Sequence, residues 1–156
     1  MPCRPPIGIE VCPLGCTCVP KTSARSVAFD VLLQVAVDDA YTNLVLPPAL
    51  ASSGLSDRDR ALATELVYGT SRRAGELDVV VASASGRTLA HLDTGVVILL
   101  RMAIYQLLFL RVPDHAAVAE GVELAKSRGF ARASGLVNAV LRNVTRGGAD
   151  KWTAVI

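Results

Sequence analysis

The chain has 156 residues, of which 51% are hydrophobic, and a formal net charge of +2 at pH 7. The hydrophobic content excludes an intrinsically disordered chain, and the length is that of one ordinary domain. Aromatic residues make up only 4% of the sequence, so the core must consist mainly of Leu, Val and Ala side chains. These residues favour packed helices over a β-sandwich.

Arginine carries most of the positive charge, since only Lys21, Lys126 and Lys151 among the 16 basic residues are lysines. Arginine binds phosphate through two parallel N–H groups and stacks on bases, so this bias is compatible with an RNA partner. A GC-rich genome explains the same bias without any such function. The net charge is too small to decide between these interpretations.

The first 22 residues differ from the rest of the chain because they are rich in proline and contain every cysteine. The cysteine spacing is not the paired C-x2-C of a zinc ribbon, and no apolar stretch precedes it as in a lipoprotein signal. We interpret residues 1–22 as a flexible leader or as the result of an over-long start site. An adventitious disulfide or metal site at the cysteines, or a functional metal site, remains an open alternative. The cysteine-free body is expected to be cytoplasmic. The cysteines are Cys3, Cys12, Cys16 and Cys18.

Apolar residues recur at helical spacing from Ala24 onwards, and no segment shows the alternation of a strand. The first helix is expected to end at Asp38. The second is expected to begin at Pro47, because proline is tolerated in a first helical turn but not in a helix interior. The sequence therefore predicts an all-α bundle of six or seven helices. The later helices are expected near residues 47–52, 57–73, 76–85, 94–110, 114–127 and 132–145.

The most hydrophobic segment, residues 96–110, is the only candidate for a membrane span. It is about 15 residues long with Arg101 in its middle, whereas a spanning helix needs about 20 apolar residues. We therefore expect a buried central helix and no membrane partner.

The sequence contains no pattern that indicates catalysis. It has two histidines, no H-E-x-x-H or G-x-S-x-G motif, and no glycine-rich loop after a strand. The carboxylates of Asp57, Asp59 and Glu65 alternate with arginines, which is typical of a solvated first helical turn. We therefore assign no catalytic residue and no metal ligand in this chain.

Six strings occur in order along the chain and together resemble one family. The chain resembles the NusB-like N-terminal domain of the RsmB/Sun (Fmu) family, which makes 5-methylcytosine in 16S ribosomal RNA. The resemblance covers residues 24–152. Part of the pattern also resembles the NusB transcription antitermination factor, a free RNA-binding protein of similar length. The strings are D-A-Y-T-N-L-V-L-P (39–47), L-S-D-R-D-R-A-L-A-T-E-L-V-Y-G-T-S-R (55–72), L-R-M-A-I-Y-Q-L-L (100–108), V-P-D-H-A-A-V (112–118), V-E-L-A-K (122–126) and L-V-N-A-V-L-R (136–142).

The resemblance implies a NusB-like helical domain over residues 23–147 that binds ribosomal RNA. It also implies that residues 148–156 begin a linker to a methyltransferase domain that binds S-adenosylmethionine and carries the catalytic cysteines. No cofactor is therefore expected in this chain, and no cysteine of the leader receives a catalytic role. Two alternatives remain open, a free-standing NusB-type factor and a module that only docks proteins.

The resemblance places the RNA face at the basic segment before the first helix, at the start of that helix and at the start of the last helix. Those positions hold Lys21, Arg25, Arg128 and Arg132, with Leu136 beside them. No acid lies close to them in sequence, so we expect the four cations to form one patch. The alternative is that they are scattered solubilising charges.

Two further polar residues lie in the last predicted helix. Asn138 is expected to be buried and to bond a helix end or a loop backbone. Arg142 is expected to anchor or face a neighbouring domain.

Overall fold

The protein was analysed as a computed structural model, and the structure describes residues 22–156. Lys21 and the leader cysteines lie outside the described residues. Within this range the chain forms seven α-helices and two 3-10 turns and contains no strand, so the predicted all-α fold is confirmed. The helices are α1 (Ala24–Asp38), α2 (Thr42–Ser52), α3 (Asp57–Arg72), α4 (Ala74–Ser85), α5 (Thr94–Leu108), α6 (Asp114–Ser127) and α7 (Ser134–Val155), and the 3-10 turns span Leu89–His91 and Ala131–Ala133.

Short polar residues and glycine set the helix ends where the sequence predicted them. The Ser23 hydroxyl accepts the Ser26 backbone N–H at 3.1 Å, and the Ser26 hydroxyl accepts the Ser23 N–H at 2.8 Å. This reciprocal capping box begins α1. Ser56 caps α3 through the N–H of Asp59, and Gly86 ends α4 with φ +65°.

The prediction that a helix begins at Pro47 is wrong, because α2 begins five residues earlier and contains Pro47 and Pro48 in its interior. Each proline lacks the N–H that would bond the carbonyl four residues before it. Those carbonyls belong to Asn43 and Leu44, which are exposed, so water can satisfy them. A helix with prolines inside is tolerated here because it lies at the surface of the bundle.

The last helix was predicted to end near Thr145, and its regular part does end close by, at Gly148, but a further helical segment follows that was not predicted. This segment continues to Val155 after a kink at Gly148, where φ is +72° and ψ is 157°. After the kink the chain folds back, so that Trp152 is only 2% exposed and its indole N–H donates to the Val144 carbonyl at 2.9 Å. Glycine is required just before the kink, since a Cβ on Gly147 would lie 2.5 Å from the Trp152 indole nitrogen.

Helix α5 is the centre of the bundle, as predicted for residues 96–110. Twelve of its 15 residues are buried, and it packs against α1, α3, α4, α6 and α7. Its one charged residue, Arg101, binds both carboxylate oxygens of Asp78 at 2.5 and 2.8 Å. Within residues 22–156, no helix combines the length and hydrophobicity required to cross a membrane.

Helices α3 and α5 approach each other closely at Gly69, which faces the Tyr105 ring. A Cβ on Gly69 would lie 2.2 Å from that ring. The Tyr105 hydroxyl donates to Glu65 at 2.5 Å, and burial together with this hydrogen bond raises the pKa of Tyr105. Because Gly69 has no side chain, the Tyr105 ring can pack against α3, and its hydrogen bond to Glu65 connects α5 to α3.

Replacing Gly69 with Ala is expected to destabilise the fold by about 1–3 kcal/mol, because Tyr105 must leave its position or the two helices must separate. The matched control is Gly75→Ala in the first turn of α4, where no atom lies within 4 Å of the added Cβ. The control should be neutral or stabilising, since alanine is the better helix former. Urea denaturation of both variants measures the difference, and equal stabilities would contradict the packing described here.

Candidate nucleic-acid interface

The turn between α6 and α7 is held against α1 by aromatic packing. Gly129 has φ +86°, and this conformation turns the chain after Arg128. Phe130 then packs edge-on against Phe29, with ring centroids 6.2 Å apart, and a Cβ on Gly95 would lie 2.1 Å from its ring. The turn is therefore fixed relative to the first half of α1, as the predicted RNA face requires.

Arg25 lies in the first turn of α1, where its Nε donates to the Gln106 side-chain oxygen at 2.5 Å. The same nitrogen lies 2.5 Å from a carboxylate oxygen of Glu120. Gln106 is buried and is oriented by a hydrogen bond from its amide to the Met102 carbonyl. Arg25 thus links α1 to α5 and α6 with a side chain only 22% exposed, and the acid beside it is far from it in sequence.

Arg128 is also paired with an acid that lies far from it in sequence. Its Nη2 lies 2.8 Å from a carboxylate oxygen of Asp30 on α1, and its Nε is buried without a hydrogen-bond partner among the described residues. Burial raises the pKa of Asp30, and the Arg128 guanidinium opposes that rise. Arg128 therefore has part of its charge neutralised within the protein.

Arg132 lies in the 3-10 turn before α7 and is exposed, with no ion pair to any residue in 22–156. Leu136 is half-buried and packs against the core, so only part of its side chain faces solvent. Two ion pairs connect α1 with α6 and the residue that follows it, one between Arg25 and Glu120 and one between Arg128 and Asp30. Arg132 follows Arg128 by four residues in the chain.

Two arginines of α7 lie outside the predicted patch, namely Arg142, which was expected to anchor or face a neighbouring domain, and Arg146, which was not predicted to have a role. Arg142 and Arg146 are exposed, and neither forms an ion pair within the described chain. The sequence does indicate a basic surface here, because residues 124–149 contain five basic residues and no acidic one. The five basic residues are Lys126, Arg128, Arg132, Arg142 and Arg146.

The prediction for Asn138 is wrong. It is half-buried, and its side-chain oxygen accepts a hydrogen bond from the Arg142 Nε at 3.1 Å. The asparagine that bonds a backbone carbonyl is Asn143, whose amide donates to Ala84 at the end of α4 at 2.9 Å. Sequence pattern alone does not distinguish the two, because which face of α7 meets α4 depends on the tertiary packing.

The described residues contain no group of three or more His, Cys, Asp or Glu side chains that could hold a metal ion. Arg25 is held by the buried Gln106 side chain, and the turn after Arg128 is held by the packing of Phe130 on Phe29. A comparison with known protein families agrees with the helical architecture, because the model of the NusB family matches residues 22–146. The chain belongs to the NusB family.

Curated relatives of this NusB domain include several methyltransferases. It is 44% identical over 133 residues to a putative methyltransferase of Mycobacterium tuberculosis strain H37Rv, a match that covers 85% of this chain and 29% of the relative. It is 38% identical over 136 residues to a probable ribosomal RNA small subunit methyltransferase B of Bacillus subtilis, covering 86% and 30%. The chain thus spans less than a third of the length of these relatives.

Among solved structures, the NusB domain resembles a chain in the crystal structure of a plectonemic RNA supercoil. The TM-score is 0.73 at 21% sequence identity, and the match covers 80% of this chain and 92% of the other. At this identity the likeness supports the fold alone.

Replacing Arg25 with Ala is expected to destabilise this NusB domain by about 1–3 kcal/mol, because the buried Gln106 oxygen loses its donor. Arg58→Ala is the matched control, since Arg58 is exposed and forms no ion pair in the described chain. The control should stay within about 0.5 kcal/mol of wild type. Thermal or urea unfolding measures both, and an Arg25→Ala variant as stable as the control would show that Arg25 is free for another partner.

Proposed function

We propose that this chain is the RNA-binding domain of a ribosomal RNA small subunit methyltransferase that makes 5-methylcytosine, and that it is not catalytic by itself. The observation that carries the proposal is the 35–38% identity to relatives named ribosomal RNA small subunit methyltransferase B over most of the chain. A free-standing NusB-type antitermination factor is less favoured, because these relatives are about three times longer than the matched region.

The exposed arginines supply a physical basis for RNA binding. Arg132, Arg142 and Arg146 have no acid partner within residues 22–156, so their charge is available to phosphates. Cations that neutralise phosphates release condensed counterions, and this release makes the affinity depend steeply on salt. In this proposal three further cations add to the positive electrostatic potential, namely Lys21, Arg25 and Arg128. Acidic partners already neutralise part of the charge of Arg25 and Arg128.

Methyl transfer, in this proposal, belongs to the remainder of the longer protein. S-adenosylmethionine would bind there, since a dinucleotide-type site needs a glycine-rich turn after a strand and residues 22–156 contain no strand. The expected cellular location is the cytoplasm, where ribosomal RNA is processed. The proposed partners are thus ribosomal RNA and the methyltransferase portion of the same protein.

A protein-docking role is the second candidate, and one exposed apolar cluster favours it. Val37, Tyr41 and Leu44 are 66%, 73% and 66% exposed at the junction of α1 and α2. Large exposed apolar side chains that lie together often mark a protein contact. This face is available for the methyltransferase portion, whichever role the arginines have.

A filter-binding titration of the full chain with a 16S ribosomal RNA hairpin tests the proposal. RNA binding should weaken with salt by about 0.7–0.9 decades of affinity per decade of salt for each phosphate contact. Absence of binding at low salt, or an affinity insensitive to salt, would leave only the docking role. Incubation with S-adenosylmethionine and the same RNA should give no methylated product, and any turnover would contradict the assignment of catalysis to another domain.

A further inference from the structure

An open groove lies between α6 and α7. Its volume is about 690 Å³, and it lies directly beyond the turn that carries Arg132. Lys126 and Ser134 line the end next to that turn, while Asp114 and Arg146 line the other end. The groove therefore continues the predicted patch along the last two helices.

The α7 wall of the groove is neutral from Ser134 to Asn138 and positively charged in its second half. Arg142 and Arg146 are four residues apart, so they lie on one helical face. The Arg142 Nε bonds only the neutral Asn138 side chain, and the α7 residues between Ser134 and Gly148 include no acid. Two guanidinium groups thus face the groove without carboxylate partners among the described residues.

The α6 wall is different, since its centre consists of the small aliphatic residues Val118, Ala119 and Val122. Its acids lie towards the ends, where Asp114 begins the helix and Glu123 is loosely paired with Lys126 at 3.6 Å. The groove therefore has arginines on its α7 wall, and its α6 wall is aliphatic in the centre with charged residues towards both ends.

This combination favours a sugar–phosphate chain over a protein helix. Protein contacts depend on large buried anchors such as Trp, Tyr or Arg–carboxylate pairs in a desolvated centre, and the groove offers no apolar side chain larger than valine. Among the lining residues only His115, at the Asp114 end, is aromatic, so little base stacking is expected along the rest of the groove. What remains is recognition of phosphates by Arg142 and Arg146.

We propose that a single strand of RNA leaves the patch at Arg132 and follows the α6–α7 groove, with its phosphates on Arg142 and Arg146. This inference rests on the proposed RNA-binding function and adds to it a binding track and a substrate class. A groove between two packed helices, whose axes lie about 8–10 Å apart, is too narrow for a duplex. Because the contacts are to phosphates, the track does not depend on base sequence.

The test compares the full chain with the double variant Arg142→Ala/Arg146→Ala. The matched control is Arg58→Ala/Arg87→Ala, which removes two exposed arginines that form no ion pair in the described part of the chain. The probes are one ribosomal RNA hairpin with a single-stranded tail and the same hairpin with a blunt end. Circular dichroism checks that both variants keep the fold.

The double variant should bind the tailed hairpin on the order of tenfold more weakly, with a salt slope reduced by about 1.4, which is two single-strand contacts. The affinity of the control variant for either hairpin, and the affinity of the double variant for the blunt hairpin, should change little.

If wild type binds but the double variant binds the tailed hairpin equally well, the track is wrong while the proposed function stands. If wild type binds neither hairpin at low salt, the proposed function fails first. Binding of an acidic amphipathic peptide, lost in the double variant while RNA binding is kept, would assign the groove to a protein and overturn the inference.

Discussion

Replacing Trp152 with Ala is expected to lower the free energy of unfolding by about 3–5 kcal/mol, the usual cost of removing a large aromatic side chain from a core. Trp152 is 2% exposed and bonds the Val144 carbonyl, so its removal leaves a cavity beside the kink at Gly148 and a carbonyl without its donor. Urea denaturation of the full chain measures the loss.

The neighbouring variant Lys151→Ala is the control. The Lys151 ammonium lies 4.8 Å from the Trp152 ring, an exposed cation–π contact worth about 0.5–1 kcal/mol. Removal of residues 148–156 should destabilise the rest of the chain about as much as Trp152→Ala does. If both changes leave stability unaltered, residues 148–156 are the linker that the family resemblance implies, and the domain ends at Gly147.

The helical spacing of apolar residues was enough to predict most of the fold, because the buried positions and the helix-capping residues indicate the same helices along the chain. α5 was predicted as the central helix from its hydrophobicity, and α1 from its apolar stripe. The prediction failed where tertiary packing overrides a local rule. Two prolines inside α2 are tolerated at an exposed surface, and two glycines after Arg146 make a kink because Trp152 returns to the core.

The candidate site was less predictable than the fold, because its electrostatics depend on residues far apart in sequence. Glu120 neutralises Arg25 and Asp30 neutralises Arg128, each across a helix–helix contact that no local pattern reveals. Arg132 lies in the 3-10 turn just after Gly129, a position that depends only on the local chain, and its RNA-binding role stays a prediction. The α7 arginines were predictable in principle, since they lie in a long segment without acids.

Replacing Arg132 with Glu is expected to weaken binding of a ribosomal RNA hairpin on the order of tenfold at low salt, since a phosphate contact is lost and a repulsive charge is introduced. The stability should not change, because Arg132 is exposed and pairs with no acid in residues 22–156. Filter binding and thermal unfolding of the same preparation measure both quantities.

The comparison with Arg25→Glu separates direct RNA contact from an effect on the fold. That variant places a carboxylate beside Glu120 and the buried Gln106 oxygen, so it should lose stability together with RNA affinity. Arg58→Glu should alter neither quantity. If Arg132→Glu and Arg58→Glu weaken binding equally, the RNA responds to overall charge and not to this face. Loss of affinity at Arg132 alone, without loss of stability, would place a phosphate at the turn between α6 and α7.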